Sequence, residues 1–146
     1  MLRPAADVKQ ITLTVATSSR LPRVYVDEGK LRQVMMNFID NALFYSHPGS
    51  SVAISLKLVT QEIIFTVSDT GIGVPKSEQK RLFTKFFRAT NARRHRPDGT
   101  GIGLFLARKV IDEHGGSTIV KSVEGPVSYT HLRAHETDSY LVCRLL

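Results

Sequence analysis

Two asparagines four residues apart, Asn37 and Asn41, have the types and spacing that could bind a phosphorylated ligand. Residues at i and i+4 share one face of a helix, so the two carboxamides would lie side by side. Amide oxygens bind hard cations, and amide nitrogens donate hydrogen bonds to phosphate. The alternative that this spacing leaves open is the exposed polar face of an amphipathic helix.

A second group, Asp69-Thr-Gly71-Ile-Gly73-Val-Pro75, directly follows an apolar stretch that is typical of a strand. A carboxylate at the end of a strand could accept a hydrogen bond from an exocyclic amine, such as the N6 group of adenine. Glycines at 71 and 73 would let the backbone approach a flat ring closely. An ordinary tight turn is the alternative interpretation.

A third group, Gly99-Thr100-Gly101-Ile-Gly103-Leu104, precedes a long helical pattern. Glycines before a helix expose backbone N–H groups toward an anion, and the helix dipole adds favourable charge. The sequence is not a dinucleotide-binding fingerprint, because no hydrophobic strand leads directly into it. It is not a P-loop either, because no Gly-Lys-Ser/Thr follows, so a phosphate site of another kind is indicated.

The periodicity of apolar residues predicts the elements that would position these groups. Helices are predicted from an N-cap at Asp27 to about residue 46, over about 76–83, and from near 101 to the His114-Gly115-Gly116 stop. The polar stretch 89–100 is predicted to be a flexible loop. Strands are predicted over 10–17, 51–59, 62–68 and 117–123, with a short extended piece at 24–26 and a turn at 60–61. This order indicates an α+β fold, a two-layer α/β sandwich in which helices cover one face of a mixed sheet.

Length and composition are consistent with one globular domain. The chain has 146 residues, of which 42% are hydrophobic, and a formal net charge of +7. A basic balance suits a phosphorylated ligand, and the aromatic-plus-basic pattern of single-strand binders is missing, so nucleic acid is not an expected partner. No apolar run reaches the roughly 20 residues that span a bilayer, so we expect this stretch to be soluble. Cys143 is the only cysteine, which excludes a disulfide framework.

Together these motifs resemble the GHKL ATPase superfamily, which has the Bergerat ATP-binding fold. LRQVMMNFIDNA resembles its N box, SDTGIGVP its first glycine box, LFTKFFR its phenylalanine box, and DGTGIGLFLARKVIDEHGG its second glycine box. Within the superfamily, the chain is most similar to the ATP-binding catalytic (HATPase_c) domain of bacterial two-component sensor histidine kinases. The resemblance covers residues 4 to 125, and we expect residues 1–125 to be this domain in truncated form.

The resemblance implies a role for each matching residue. Asn41 would bind Mg²⁺ between the phosphates with support from Asn37, and Asp69 would bind the adenine amine. Residues 84–100, here called the lid segment, would be the mobile ATP lid. Phe83 and Phe86 would anchor this lid to the body of the domain. The further residues expected to contact ATP are Tyr45, Gly71, Gly73, Arg88, Gly99, Thr100, Gly101, Gly103 and Leu104.

The implied activity is transfer of the ATP γ-phosphate to a histidine on a separate dimerisation domain. Related hydrolases have a glutamate where this chain has Asn37, and an amide cannot act as a general base. The implied partners are that histidine domain and the receiver domain of a response regulator. The parent protein would be a homodimer anchored in the bacterial inner membrane, with this domain in the cytoplasm. The alternatives are a serine kinase of the anti-sigma-factor type and a non-catalytic nucleotide-sensing module.

Two stretches depart from the family pattern. Many such kinases have Lys or Arg where this chain has Phe44, so a phosphate-facing cation is lost. Either the affinity for ATP is lower or a lid arginine compensates.

The second departure is the tail, since residues 126–146 resemble a translated transposase-type sequencing adapter. We therefore expect them to be a non-native tail without function, and the native last strand to be missing. A strand from the apolar segment SYLVCRLL would then be accidental and would take an edge of the sheet.

Overall fold

A computed structural model describes residues 2–122 and 139–145. Its helices are α1 (Leu2–Val8), α2 (Glu28–Tyr45), α3 (Thr90–His95) and α4 (Gly103–Glu113), with a short 3₁₀ helix at Gln79–Arg81. Its strands are β1 (Thr12–Thr17), β2 (Ser51–Val59), β3 (Glu62–Asp69), β4 (Ser117–Ser122) and β5 (Ser139–Leu145). Among these described residues, no helix has both the length and the apolar character that crossing a bilayer requires.

The five strands form one mixed sheet in the order β1-β2-β3-β5-β4. β1 runs parallel to β2, with Thr12 opposite Ser51, and the other neighbouring strands are antiparallel. β2 and β3 form the predicted hairpin, which closes at the pair Val59 and Glu62. This mixed sheet with helices against one face confirms the predicted fold class.

The core lies between this sheet and the helices α2 and α4. Along β3, Ile63, Phe65 and Val67 are buried while the residues between them are half-buried, so one face of the strand points to the helices. From the helix side, Phe38 and Ile111 are fully buried. The rings of Phe38 and Phe65 stack with centroids 6.3 Å apart, which joins α2 to the sheet.

The ends of α2 and α4 follow the predicted signals and are tied to each other. The Asp27 carboxylate accepts a hydrogen bond from the Lys30 amide at 3.0 Å, as an N-cap does. At the end of α4, Gly115 has a φ of +74° and the amide of Gly116 donates to the carbonyl of Ile111. The Asp27 amide also donates to Nε2 of His114 at 3.0 Å, so the start of α2 is fixed against the end of α4.

Several local predictions differ from the structure. Helix α1 was not expected, and residues 24–26 form no regular strand. The helix predicted over 76–83 is reduced to the 3₁₀ helix, while the stretch predicted as a loop contains α3. The α3 segment is helical because its ends are fixed by side-chain contacts with distant residues, which local sequence patterns do not report.

The position of the last strand is also different from the prediction. Residues 139–145 lie between β3 and β4 rather than at an edge, so that expectation was wrong. β3 would otherwise present unpaired N–H and C=O groups along a buried strand, and an apolar, β-prone segment satisfies them. Residues 126–138 of the expected tail lie outside the described residues, and the adapter origin of 126–146 stays a prediction.

Candidate functional site

A cleft of about 300 Å³ lies between α2, the loop that follows β3, the lid segment and the start of α4. It brings together most of the residues that the sequence singled out. Those that line it are Asn37, Asn41, Tyr45, Asp69, Gly73, Arg88, Gly99, Thr100, Gly101, Gly103 and Leu104. Gly71, Phe83 and Phe86 are not part of its lining.

The two carboxamides of α2 reach the cleft from the same helix face. Both Asn37 and Asn41 are half-buried. The Asn37 Nδ2 group donates to the carbonyl of Gly103 at 3.4 Å, a long hydrogen bond that joins α2 to the first turn of α4. A side chain added at Gly103 would lie 3.4 Å from Asn37 Oδ1, so glycine leaves room for this amide.

The turn after β3 is held by Asp69 and by the end of α2. Asp69 Oδ1 accepts a hydrogen bond from the Gly71 amide at 2.9 Å. A Cβ at Gly71 would collide with the backbone of Tyr45, and the Ile72 amide donates to the Tyr45 carbonyl at 3.1 Å. Gly71 therefore permits close contact between this turn and α2, while Gly73, with a φ of +67°, is the glycine that lines the cleft.

The loop before α4 contains a glycine whose conformation other residues rarely adopt. Gly101 has a φ of +70°, and its carbonyl accepts a hydrogen bond from the Phe86 amide at 2.9 Å. A Cβ at Gly101 would lie 2.7 Å from the Phe86 carbonyl carbon and 2.9 Å from the Phe87 carbonyl oxygen. The two ends of the lid segment are thus joined at the point where α4 begins.

Arg88 is the central cation of the lid segment. Its Nη2 group donates to Tyr45 Oη at 3.3 Å and to the Ala92 carbonyl at 3.2 Å. The guanidinium occupies the space where Gly99 has no side chain, because a Cβ at Gly99 would lie 2.6 Å from its Cζ. Arg88 is therefore half-buried in the cleft wall, with a positive charge available to an anionic ligand.

Side-chain hydrogen bonds hold the lid segment to the chain that follows β3. Glu78 accepts from the Thr90 hydroxyl at 2.6 Å and from the Thr90 amide at 3.0 Å. These hydrogen bonds lower the pKa of the Glu78 carboxyl below its ordinary value. Asn91 Nδ2 donates to the carbonyl of Gly73 at 2.9 Å. Neither Glu78 nor Asn91 was expected to matter, because neither belongs to a recognisable motif.

The two phenylalanines expected to anchor the lid lie in different environments. Phe83 is buried, with the Arg108 guanidinium 5.4 Å from its ring centroid. Phe86 is 64% exposed and has a φ of +65°, so its backbone rather than its ring joins the lid segment to Gly101. Phe87, which the sequence did not single out, is the phenylalanine that lines the cleft.

Arg96 and Asp98 are further charged lining residues that the sequence reasoning did not assign to the site. Their side chains form an ion pair with a nitrogen–oxygen distance of 3.6 Å. The high density of arginines between 88 and 96 was the available signal for Arg96. Together with Arg88, it makes the lid segment the basic wall of the cleft.

The side chains of the cleft fit a magnesium ion that takes some of its oxygen ligands from the protein and the others from phosphate and water. The described residues contain no group of three or more His, Cys, Asp or Glu side chains that could hold a metal ion. Mg²⁺ commonly takes one or two protein oxygens and completes its shell with water and substrate phosphates. The amide oxygen of Asn41 fits this role, and the ion would supply charge neutralisation at the phosphates.

Comparison with known proteins gives one family. Residues 26–137 match the family described as histidine kinase-, DNA gyrase B-, and HSP90-like ATPase. The chain is 37% identical over 131 residues to the adaptive-response sensory kinase SasA of Synechococcus sp. (strain JA-3-3Ab), covering 89% of this chain and 34% of SasA. It is 38% identical over 104 residues to the sensor histidine kinase WalK of Bacillus subtilis (strain 168), covering 70% of this chain and 17% of WalK.

Solved structures show the same fold. The mycobacterial sensor histidine kinase MprB superposes with a TM-score of 0.78 at 26% identity, covering 99% of this chain and 89% of that structure. Full-length ShkA in complex with AMPPNP superposes with a TM-score of 0.76 at 27% identity, covering 97% of this chain and 27% of that structure. The chain thus spans about a third of the length of SasA and less of WalK.

Proposed function

Because the chain belongs to the histidine kinase-, DNA gyrase B-, and HSP90-like ATPase family, we propose that its cleft binds Mg-ATP and presents the γ-phosphate to a histidine of another domain. Its relatives are sensor histidine kinases, in which this family is the ATP-binding catalytic part. The observation that carries the proposal is that Asn41, Asp69 and Gly101, distant in sequence, line a single cleft.

We infer from the contacts in the cleft which part of Mg-ATP each residue would bind. Asp69, at the end of β3, would accept a hydrogen bond from the adenine amine while it fixes its own turn. Asn41 would bind Mg²⁺ and Asn37 would support it. The glycines before α4 and the Arg88 guanidinium would hold the phosphates, so that catalysis consists mainly of positioning and charge neutralisation.

The residue at position 37 supports transfer rather than hydrolysis. An amide cannot take a proton from water, so bound ATP would wait for an outside nucleophile. We propose that this nucleophile is the histidine of a helical dimerisation domain in a homodimeric parent protein. A response regulator would then receive the phosphate, and a structural neighbour, histidine kinase ThkA in complex with the response regulator TrrA, is a precedent. An inner-membrane anchor in the parent protein belongs to the same proposal.

Calorimetry with a non-hydrolysable ATP analogue tests the binding step. Wild type and variants are titrated with the analogue, with and without Mg²⁺. Asp69→Asn is expected to weaken binding about tenfold to a hundredfold, since it replaces a charged hydrogen-bond acceptor. Asn41→Ala is expected to remove the dependence on Mg²⁺. Gln33→Ala and Asp112→Asn, both exposed and outside the cleft, are the matched controls. No binding by a folded wild type would refute the proposal.

The transfer step needs a second assay. The chain is mixed with labelled ATP and a separately expressed dimeric domain that carries a phospho-acceptor histidine. Label on that histidine, lost when the histidine is replaced by glutamine, is the expected result. Binding without transfer to any histidine domain would favour a nucleotide-sensing module, and label on a protein serine would favour a serine kinase.

A further inference from the structure

Phe44 lies in the last turn of α2 beside two cations. Lys9 Nζ is 5.0 Å from the centroid of its ring, and the Arg96 guanidinium carbon is 4.5 Å from it. Both distances are within the range of a cation–π interaction. Lys9 belongs to the body of the domain and Arg96 to the lid segment, so the ring joins the two.

The body side of this contact is fixed by hydrogen bonds. Lys9 Nζ donates to the carbonyl of Leu43 at 3.1 Å and to that of Phe44. These carbonyls belong to the last turn of α2, where helix geometry leaves acceptors unpaired and a cation is favourable. Tyr45 packs edge-on against Phe44 with ring centroids 5.2 Å apart. The ring therefore has contacts with the body of the domain that do not involve the lid segment.

On the lid side, two consecutive residues contact the ring. The His95 ring packs edge-on against Phe44 with centroids 5.6 Å apart, and it is tilted by 48° against Tyr45 with centroids 5.7 Å apart. Arg96 lies over Phe44 and also lines the cleft, where it pairs with Asp98. A lysine at position 44 would repel Arg96 from this position, whereas an aromatic ring attracts it.

We propose that Phe44 is a positioning residue of the nucleotide site, whose ring holds the end of the lid segment on α2 and keeps Arg96 facing the cleft. The lid segment thereby supplies the cleft with a cation beside the last turn of α2. This inference rests on the proposed binding of ATP in the cleft. It also predicts that the C-terminal part of the lid segment, at His95 and Arg96, stays on α2 when no nucleotide is bound.

Trypsin cleavage of the ligand-free chain tests the contact itself. Cleavage after Arg93 and Arg94 requires the lid segment to open, so its rate reports the open population. Phe44→Leu keeps an apolar side chain but removes the ring, and cleavage is expected to be about threefold faster or more. Phe44→Tyr keeps the ring and is expected to be cleaved at the wild-type rate. Equal rates for the leucine variant and wild type would overturn the proposal.

Calorimetry with the Mg²⁺–ATP analogue tests the effect on the site. Phe44→Leu and Arg96→Ala are each expected to raise Kd about threefold to tenfold. The double variant is expected to have the same Kd as whichever single variant binds the analogue less tightly. Arg94→Ala, which removes an exposed cation of α3, is the matched control with unchanged Kd. Losses that multiply in the double variant would show that Phe44 does not act through Arg96.

The two proposals fail differently in these assays. If a folded wild type does not bind the analogue, both the proposed function and the role of Phe44 in it are overturned. If Asp69→Asn weakens binding while Phe44→Leu leaves both Kd and cleavage unchanged, only the role of Phe44 is overturned.

Discussion

Replacement of Gly101 by alanine should both lower the free energy of unfolding and weaken nucleotide binding in the cleft. The residue has a φ of +70°, which costs an L side chain about 1–2 kcal/mol. Its new Cβ would also lie 2.7 to 2.9 Å from backbone atoms of Phe86 and Phe87, closer than real contacts allow. Relief of this clash must separate the Phe86 amide from the Gly101 carbonyl, at a further cost of about 1 kcal/mol.

Gly115→Ala separates the cost of the positive φ from the cost of the clash between the added Cβ and the neighbouring backbone. Gly115 has a similar φ of +74°, but a Cβ there would meet nothing within 4 Å. Urea unfolding followed by circular dichroism should therefore show a loss of about 1–2 kcal/mol for Gly115→Ala. It should show about 1 kcal/mol more for Gly101→Ala. Calorimetry with the ATP analogue should show weaker binding only for Gly101→Ala. Equal unfolding free energies and equal affinities for the two variants would refute the clash argument.

Two further predictions concern the core and the lid segment. Phe38→Ala should lower the free energy of unfolding by about 3–5 kcal/mol in urea titration, because a fully buried ring stacked on Phe65 is removed; a loss below about 1 kcal/mol would contradict this packing. The lowered pKa of Glu78 means that its bonds to Thr90 contribute above pH 4.5 and are lost as pH falls through the lowered pKa. The NMR shift of the Thr90 amide should therefore titrate in acid, and Glu78→Gln should abolish that titration.

The elements of this fold that sequence predicts well are those whose signals are local. The alternation of Ile63, Phe65 and Val67 indicates a strand with one buried face, and Asp27 marks the start of α2 within one residue. These features depend on neighbours in the chain, so they can be derived without tertiary structure. The three polar motifs were each open to another interpretation by residue type alone, and only the resemblance of their ordered set to a known family implied a common nucleotide site.

What sequence did not reveal depends on contacts between distant segments. The helix α3 is fixed by Glu78, Gly73 and Phe44, each far from it in sequence. The exposure of Phe86 follows from its positive φ and from the approach of Gly101, which no pattern of residue types predicts. Strand order is a similar case, since the propensity of residues 139–145 for a strand does not specify which neighbours the strand takes.

The position of β5 also constrains how the domain can fold as it is synthesised. β4 hydrogen-bonds to β5 and not to β3, so it has no partner strand while residues 139–145 are still inside the ribosome. A nascent chain that has exposed β1, β2 and β3 therefore has an open, apolar strand edge, which is a site for non-native pairing and for chaperone binding. Because Val120 of β4 lines the cleft, a β4 without a partner strand also leaves this part of the cleft wall without support. A nucleotide that binds only the assembled cleft would therefore favour the paired form of β4 by mass action.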